Sequence, residues 1–388
     1  MEQYEKIREL GSGSYGDVFQ ALDKKSGEFV AVKKLKKKIF SLDESRNLKE
    51  VKCLRKMNNH PNIVKLRNLV KEHEDVFIVF EYMESDLLKL MKERAGQNFS
   101  EDEVRNLCFQ VFQGLHYMHR EGYFHRDLKP SNLLVSKGVI KIGDLGMVKE
   151  IDSNLPCTDY VTTRWYRAPE VLLLSEIYGP EVDMWAMGAI MFEMLSFRIL
   201  FPGKNSADQI YKICQVIGSP TEDSWPLGIQ LASNLNWKFP QMSGVNMREL
   251  LPSASRESIS LISWLCSWNP HMRPTAAEAL EHPFFRSCHF VPRSVPLLCN
   301  NFEAVAFPTA TVTMQGRSLT YSEVPNDGQL CSCFKCEMQR TNNDHMIINS
   351  AKPATSMIYK TGYATTTEIL ASRMQPLQQL MMSRPPGF

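Results

Sequence analysis

The chain has 388 residues, 43% hydrophobic and 23% charged, which is enough apolar content to bury a core and excludes wholesale disorder. Forty-five basic against forty-three acidic side chains leave a net charge of +2, an argument against nucleic acid as the partner. No run of eighteen apolar residues exists, and Met1-Glu2-Gln3-Tyr4-Glu5-Lys6 lacks a signal peptide's apolar stretch. The expectation is a protein of the cytoplasm or nucleus with no membrane partner, its ten cysteines reduced.

In chain order, Tyr4 to Leu10 reads as a strand running into a glycine cluster. Asp17 to Ala21 and Phe29 to Lys33 are two more, separated by the turn Lys24-Lys25-Ser26-Gly27. Leu48, Val51, Leu54 and Met57 recur every three residues and predict a helix. Asn62 to Leu69 and Val76 to Phe80 are two further apolar strands. After Glu84 the period becomes helical. Val104, Leu107, Cys108, Val111, Phe112, Leu115 and Met118 form a long buried stripe ending at Gly122, and Val182 to Leu195 is a nearly continuous apolar core helix. This order predicts an α+β, two-lobed fold: a small β-rich lobe with one key helix over residues 1–83 and a larger, mainly helical lobe over 84–285. Residues 1–285 carry 36 basic and 37 acidic side chains, residues 286–388 only 9 and 6. That last stretch, rich in Ser, Thr, Asn, Gln, Pro and Met, reads as a tail of low order.

Gly11-Ser12-Gly13-Ser14-Tyr15-Gly16-Asp17-Val18 is a G-x-G-x-x-G-x-V run. Glycines let backbone N–H groups approach phosphate oxygens, although a glycine-rich hairpin turn has the same composition. A dinucleotide fold needs a helix after the glycines; here a strand follows, and then Val30-Ala31-Val32-Lys33. Lys33 is placed to reach the α and β phosphates, with Glu50 on the following helix as its anchor. The bland alternatives are an edge lysine and a surface carboxylate. Lys34, Lys36, Lys37 and Lys38 read as a solvated face, or as a nuclear-import signal.

Tyr123-Phe124-His125-Arg126-Asp127-Leu128-Lys129-Pro130-Ser131-Asn132 carries the strongest signal. Asp127 can orient an attacking hydroxyl and accept its proton, Lys129 can neutralise a transferring phosphoryl group, and Asn132 can coordinate a metal. Asp144, in Lys141-Ile142-Gly143-Asp144-Leu145-Gly146, supplies a second oxygen ligand suited to Mg²⁺.

With these motifs the chain resembles the eukaryotic protein kinases from about Tyr4 to Phe285. The resemblance implies Mg²⁺ and ATP as cofactors, with Asp127, Lys129, Lys33 and Glu50 catalytic and Asn132 and Asp144 holding the metal. It implies nucleotide contacts from Gly11, Ser12, Gly13, Ser14, Tyr15, Gly16, Val18, Ala31, Lys33, Phe80, Glu81, Met83 and Leu134. Ala168-Pro169-Glu170 is similar to the close of the family's activation segment, with Glu170 expected to pair with Arg273 and Asp183 to brace the catalytic loop.

Thr163-Arg164-Trp165-Tyr166-Arg167 and the stretch from Leu200 to Trp268 resemble the branch of cyclin-dependent and mitogen-activated kinases. Thr158-Asp159-Tyr160 and Asn47-Leu48-Lys49-Glu50-Val51 look most like the male germ cell-associated kinase group, including its plant homologues. The implied activity is Ser/Thr phosphorylation of proteins at Ser/Thr-Pro sites, with Arg167 beside the pocket for proline. An upstream kinase would act on Thr158, with Arg126 as its phosphate's partner and Tyr160 as a second site. Ser14 and Tyr15 resemble inhibitory sites. Asp43-Glu44-Ser45-Arg46 is unlike a cyclin-binding helix, which argues against a cyclin partner; a monomer is expected.

Leu145 departs from the family's usual phenylalanine, so a weakly active or inactive scaffold stands as the alternative to an enzyme. Cys331, Cys333 and Cys336, with Cys299 or His345, invite a zinc reading that a lone C-x-C-x-x-C supports poorly. Arg384-Pro385-Pro386 reads as a short docking piece.

Overall fold

The computed structural model describes residues 1–13, 16–39, 41–94, 97–151 and 164–290. The expected tail and its cysteine cluster lie outside them. Five antiparallel strands open the chain: β1 (Tyr4–Ser12), β2 (Gly16–Asp23), β3 (Phe29–Leu35), β4 (Leu66–Glu72) and β5 (Asp75–Glu81), in the order β1-β2-β3-β5-β4. Alternation in β3 divides its side chains. Val30 and Val32 join Tyr4, Phe19, Ala21, Phe77 and Val79 in a small cluster, which leaves Ala31 and Lys33 on the opposite face. Two helices interrupt the sheet, α1 (Leu42–Arg46) and α2 (Lys49–Lys56), and α2 buries Val51, Cys53 and Leu54.

The expected strand from Asn62 starts only at Leu66. Asn62 turns its side chain inward, donating from Nδ2 to Ile140 O (2.9 Å) and Gln110 Oε1 (3.1 Å). The Val64 N–H is spent on Ile142 O at 2.9 Å, so this stretch pairs with a later strand and not with the five-stranded sheet.

The rest is mainly helical. β6 (Ser85–Asp86) leads into α3 (Leu87–Glu93), and α4 (Glu101–Arg120) begins at a capping box in which Ser100 and Glu103 bond reciprocally. Its whole predicted stripe, Val104 to Met118, is buried. The short strands β7 (Tyr123–Phe124), β8 (Leu133–Ser136), β9 (Val139–Ile142) and β10 (Lys149–Glu150) follow. Lys137 and Gly138, both at positive φ, close the two-residue hairpin between β8 and β9, the conformation that hairpin twist requires. After α5 (Pro169–Leu172), helix α6 (Glu181–Ser196) is buried along nearly its full length. Around it stand α7 (Ser206–Ile217), α8 (Pro226–Asn234), α9 (Met247–Leu250), α10 (Arg256–Leu265) and α11 (Ala276–Leu280). One core joins α2, α4, α6 and the strands β8 and β9. Among the described residues no helix is long and apolar enough to cross a membrane.

Candidate active site

Sheet register places Lys33 between Val18 on β2 and Ile78 on β5, and sets Ala31 opposite Phe80. The Lys33 ammonium donates to Glu50 Oε1 on α2 at 2.8 Å and to Asp144 Oδ1, just past β9, at 2.9 Å. Burial alone would push this ammonium down, but the two carboxylates outweigh it and hold its pKa above the ordinary lysine value. Burial likewise works against the Asp144 carboxylate, and Lys33 overcomes it, holding the acid below its usual range. The pair is therefore charged on both sides.

Asp127 lies in the loop after β7. Lys129 Nζ donates to its Oδ2 at 2.6 Å, and Asn132 Nδ2 donates to its backbone oxygen at 2.8 Å and to Oδ2 at 3.3 Å. The 3₁₀ turn Pro130–Asn132 brings the asparagine back over the aspartate. The two clusters are tied together by the Gly143 N–H on Asn132 O (2.8 Å) and by His125 Nε2 on Gly143 O (2.8 Å). His125 Nδ1 accepts the Asp127 N–H at 3.2 Å, and Nε2 faces the Gly143 carbonyl oxygen. Beneath the loop Asp183 accepts the N–H groups of His125 (2.8 Å) and Arg126 (2.9 Å), with His119 Nε2 at 2.9 Å. Burial works against this fully buried carboxylate, and these partners hold its pKa below the usual range. His119 and His125 carry the loop's geometry. His125 stands inside the catalytic motif, whereas His119 lies four residues before it and carries no mark in the sequence.

Asn132 spends its nitrogen on Asp127, which leaves its side-chain oxygen, with the Asp144 carboxylate, as a pair of hard oxygen donors. Such a set suits Mg²⁺, which takes its remaining ligands from water and phosphate. Among the described residues no group of three or more His, Cys, Asp or Glu is arranged to hold a metal. Leu145 is buried, and its turn (Leu145–Met147) packs against α2, the helix that carries Glu50.

The remaining expected residues distribute as follows. Gly11, Ser12 and Gly13 end β1 and the turn after it, while Gly16 and Val18 open β2. A Cβ on Gly16 would stand 2.4 Å from Lys34 O, so no side chain fits there. Ser12 Oγ donates to Asp17 Oδ1 at 2.6 Å. Phe80 and Leu134 pack at the edge of the core, and Met83 is half-buried beyond β5. Glu81 is held by its side chain, which spacing alone does not reveal: it accepts Lys65 N–H at 2.7 Å and Lys141 Nζ at 2.8 and 2.9 Å. Ser14, Tyr15, Thr158 and Tyr160 lie outside the described residues.

Arg273 grips Glu170 with two parallel bonds of 2.7 and 2.8 Å. Tyr166 donates to Glu193 Oε2 on α6 at 2.6 Å, and Trp165 Nε1 to Gly203 O at 3.1 Å. These bonds pin the segment Trp165–Ala168 next to Asp127, where Arg126, Asp127 and Arg167, together with Leu128, Tyr166, Ala168, Val171, Val182 and Ala186, line a small recess.

A two-lobed scaffold with a lysine–glutamate pair in one lobe and an aspartate–lysine–asparagine loop in the other is the architecture of protein kinases. The model of the protein kinase domain matches residues 4–285, and the chain belongs to that family. Cyclin-dependent kinase F-4 of Oryza sativa subsp. japonica is 56% identical over 295 residues, 76% of this chain and 64% of that protein. Serine/threonine-protein kinase MAK of Homo sapiens is 47% identical over 287 residues, 74% of this chain and 46% of that protein. Serine/threonine-protein kinase ICK of Mus musculus is 48% identical over 290 residues, again 74% and 46%. The similarity therefore spans about half to two thirds of these relatives' own lengths, and it agrees with the group that the motifs resemble.

Proposed function

We propose that the chain is an ATP-dependent protein serine/threonine kinase that prefers Ser or Thr followed by proline and is activated by phosphorylation at Thr158. The observation that carries this reading is the joined pair of clusters, Lys33–Glu50–Asp144 and Asp127–Lys129–Asn132, held together through Gly143. Lys33 binds the α and β phosphates from a position fixed by Glu50. Gly11, Gly13 and Gly16 let the turn's backbone approach the phosphates. Ala31, Phe80, Glu81, Met83 and Leu134 frame the adenine. Asn132 and Asp144 are the residues that would hold Mg²⁺, which would supply charge neutralisation for the phosphates.

Asp127 accepts a hydrogen bond from the substrate hydroxyl and orients its oxygen in line with the γ phosphorus. The new P–O bond forms as the bond to the β-phosphate oxygen breaks, and the hydroxyl proton passes to Asp127. Lys129, already against Asp127, offsets charge on the transferring group. The small recess lined by Asp127, Arg167 and their apolar neighbours takes the residue after the target, where proline has no N–H to leave unsatisfied. Burial of Leu145 against the α2 side of the core supports an active arrangement over the scaffold alternative.

The test is transfer of labelled phosphate from Mg-ATP to Ser-Pro and Ser-Ala peptide pools, by the wild type and by Thr158→Ala. Preferential labelling of the proline pool, sharply reduced in the variant, is expected. Equal labelling would remove the proline preference, and an unaffected Thr158→Ala would remove the switch.

A further inference from the structure

Helix α6 contributes more than core. Val182 and Ala186 line the recess beside Asp127, and Glu193 follows two turns further along the same face. Glu193 is buried, and its Oε2 accepts the Tyr166 hydroxyl at 2.6 Å. Tyr166 is itself a wall of the recess. One helix face therefore supplies part of the lining and also the acceptor that ties down a neighbouring wall.

The backbone around Tyr166 is fastened by separate bonds. Fully buried Gln209 on α7 donates from Nε2 to Trp165 O at 3.4 Å and accepts the Gly203 N–H at 2.9 Å, and the Trp165 indole closes the ring on Gly203 O at 3.1 Å. A Cβ on Gly203 would collide with the Gln209 backbone, so this close approach of α7 requires glycine. On the other side the Arg167 N–H donates to Arg164 O at 3.0 Å. Loss of the tyrosine hydroxyl thus frees the ring and not the segment that carries it.

We infer that Glu193 is a positioning residue for selection of the residue after the target Ser or Thr, acting through the Tyr166 ring; this rests on the proline-directed reading above. A pyrrolidine ring gains from walls that stand at contact distance, and a gap of about 0.5–1 Å forfeits a quarter to a half of each contact. Alanine, with a single methyl group, gains little from the wall whether it is fixed or loose. A fixed wall therefore favours proline over alanine, and a loose one narrows the difference.

The experiment measures kcat/KM for a Ser-Pro peptide and a matched Ser-Ala peptide with the full chain, for the wild type, Tyr166→Phe, Glu193→Gln and the double variant Tyr166→Phe/Glu193→Leu. The wild type favours Ser-Pro, and Tyr166→Phe lowers that ratio by about 3- to 10-fold. Glu193→Gln keeps an acceptor for the hydroxyl and retains most of the ratio. The double variant replaces both polar partners by apolar groups, which spares the fold the cost of an unpaired buried carboxyl, as thermal denaturation checks. Its ratio stays as low as that of Tyr166→Phe. An undiminished ratio in the double variant overturns the inference, and so does a loss of activity shared equally by the two peptides, because a purely structural role slows both alike. A wild type with no preference between the peptides would instead overturn the reading on which the inference rests.

Discussion

Lys33 is the residue on which the site's electrostatics turn. Its raised pKa means that its contribution to stability is present below the ordinary lysine value and is lost only as pH rises through the folded value. Asp144, lowered, contributes above the ordinary carboxylate value and is lost as pH falls through its folded value. Between those limits the pair is intact, so neither group titrates near neutrality. Glu193 behaves in the opposite way. Burial pushes its carboxyl from 4.5 up to about 7, against the bond from Tyr166. Between those values the unfolded chain has released the proton that the folded chain still holds, so stability falls with rising pH across that window and levels off above it. Glu193→Gln keeps an acceptor for Tyr166 and removes the charge. Thermal denaturation at pH 5 and pH 8 should show the variant gaining on the wild type at the higher pH, by about 3 kcal/mol; parallel behaviour at both would refute the buried charge. Lys33, Asp127 and Asp144 are legible in the sequence because their chemistry needs fixed neighbours. Tyr166 and Glu193 meet across 27 positions with no sequence pattern that links the two, and only folding shows the contact.

Periodicity exposes an element when one face is buried and fails when a polar residue does the anchoring. The stripe of α4 could be read from its sequence because eight of its residues are buried on one side. Asn62 to Val64 looked like a strand because its apolar residues are buried, but they pair with β9, and the asparagine's two bonds hold them there. The Glu170–Arg273 pair is a second case of anchoring by polar groups. It joins the start of α5 to the loop before α11, and Arg273 spends its remaining donors on Ser267, Trp268 and Glu181 carbonyls. Removing one partner leaves a buried charge alone. Arg273→Met should cost about 3–5 kcal/mol in urea unfolding, and adding Glu170→Leu should recover part of it. A single variant within about 0.5 kcal/mol of wild type would show that the pair is dispensable.

At the scale of the whole molecule, polar links besides Lys33–Asp144 tie the small lobe to the helical part. Asn62 contacts β9 and Gln110 on α4, and Glu81 at the end of β5 contacts Lys141 on β9. The Glu81 carboxylate is little exposed, so Lys141→Met leaves it with the Lys65 N–H alone. A loss of about 1–3 kcal/mol in unfolding free energy is expected, and none would mean that solvent replaces the lysine. The two-lobed division was legible in the change from strand to helical period, whereas these links join residues distant in sequence and were not. The central claim is that the two clusters form one working phosphotransfer site. Asp127→Asn tests it most directly, assayed for Mg-ATP binding and for phosphate transfer to a Ser-Pro peptide by the same preparation. The account predicts near-normal binding with transfer reduced by at least about a hundredfold; transfer by the variant at the wild-type rate would contradict it.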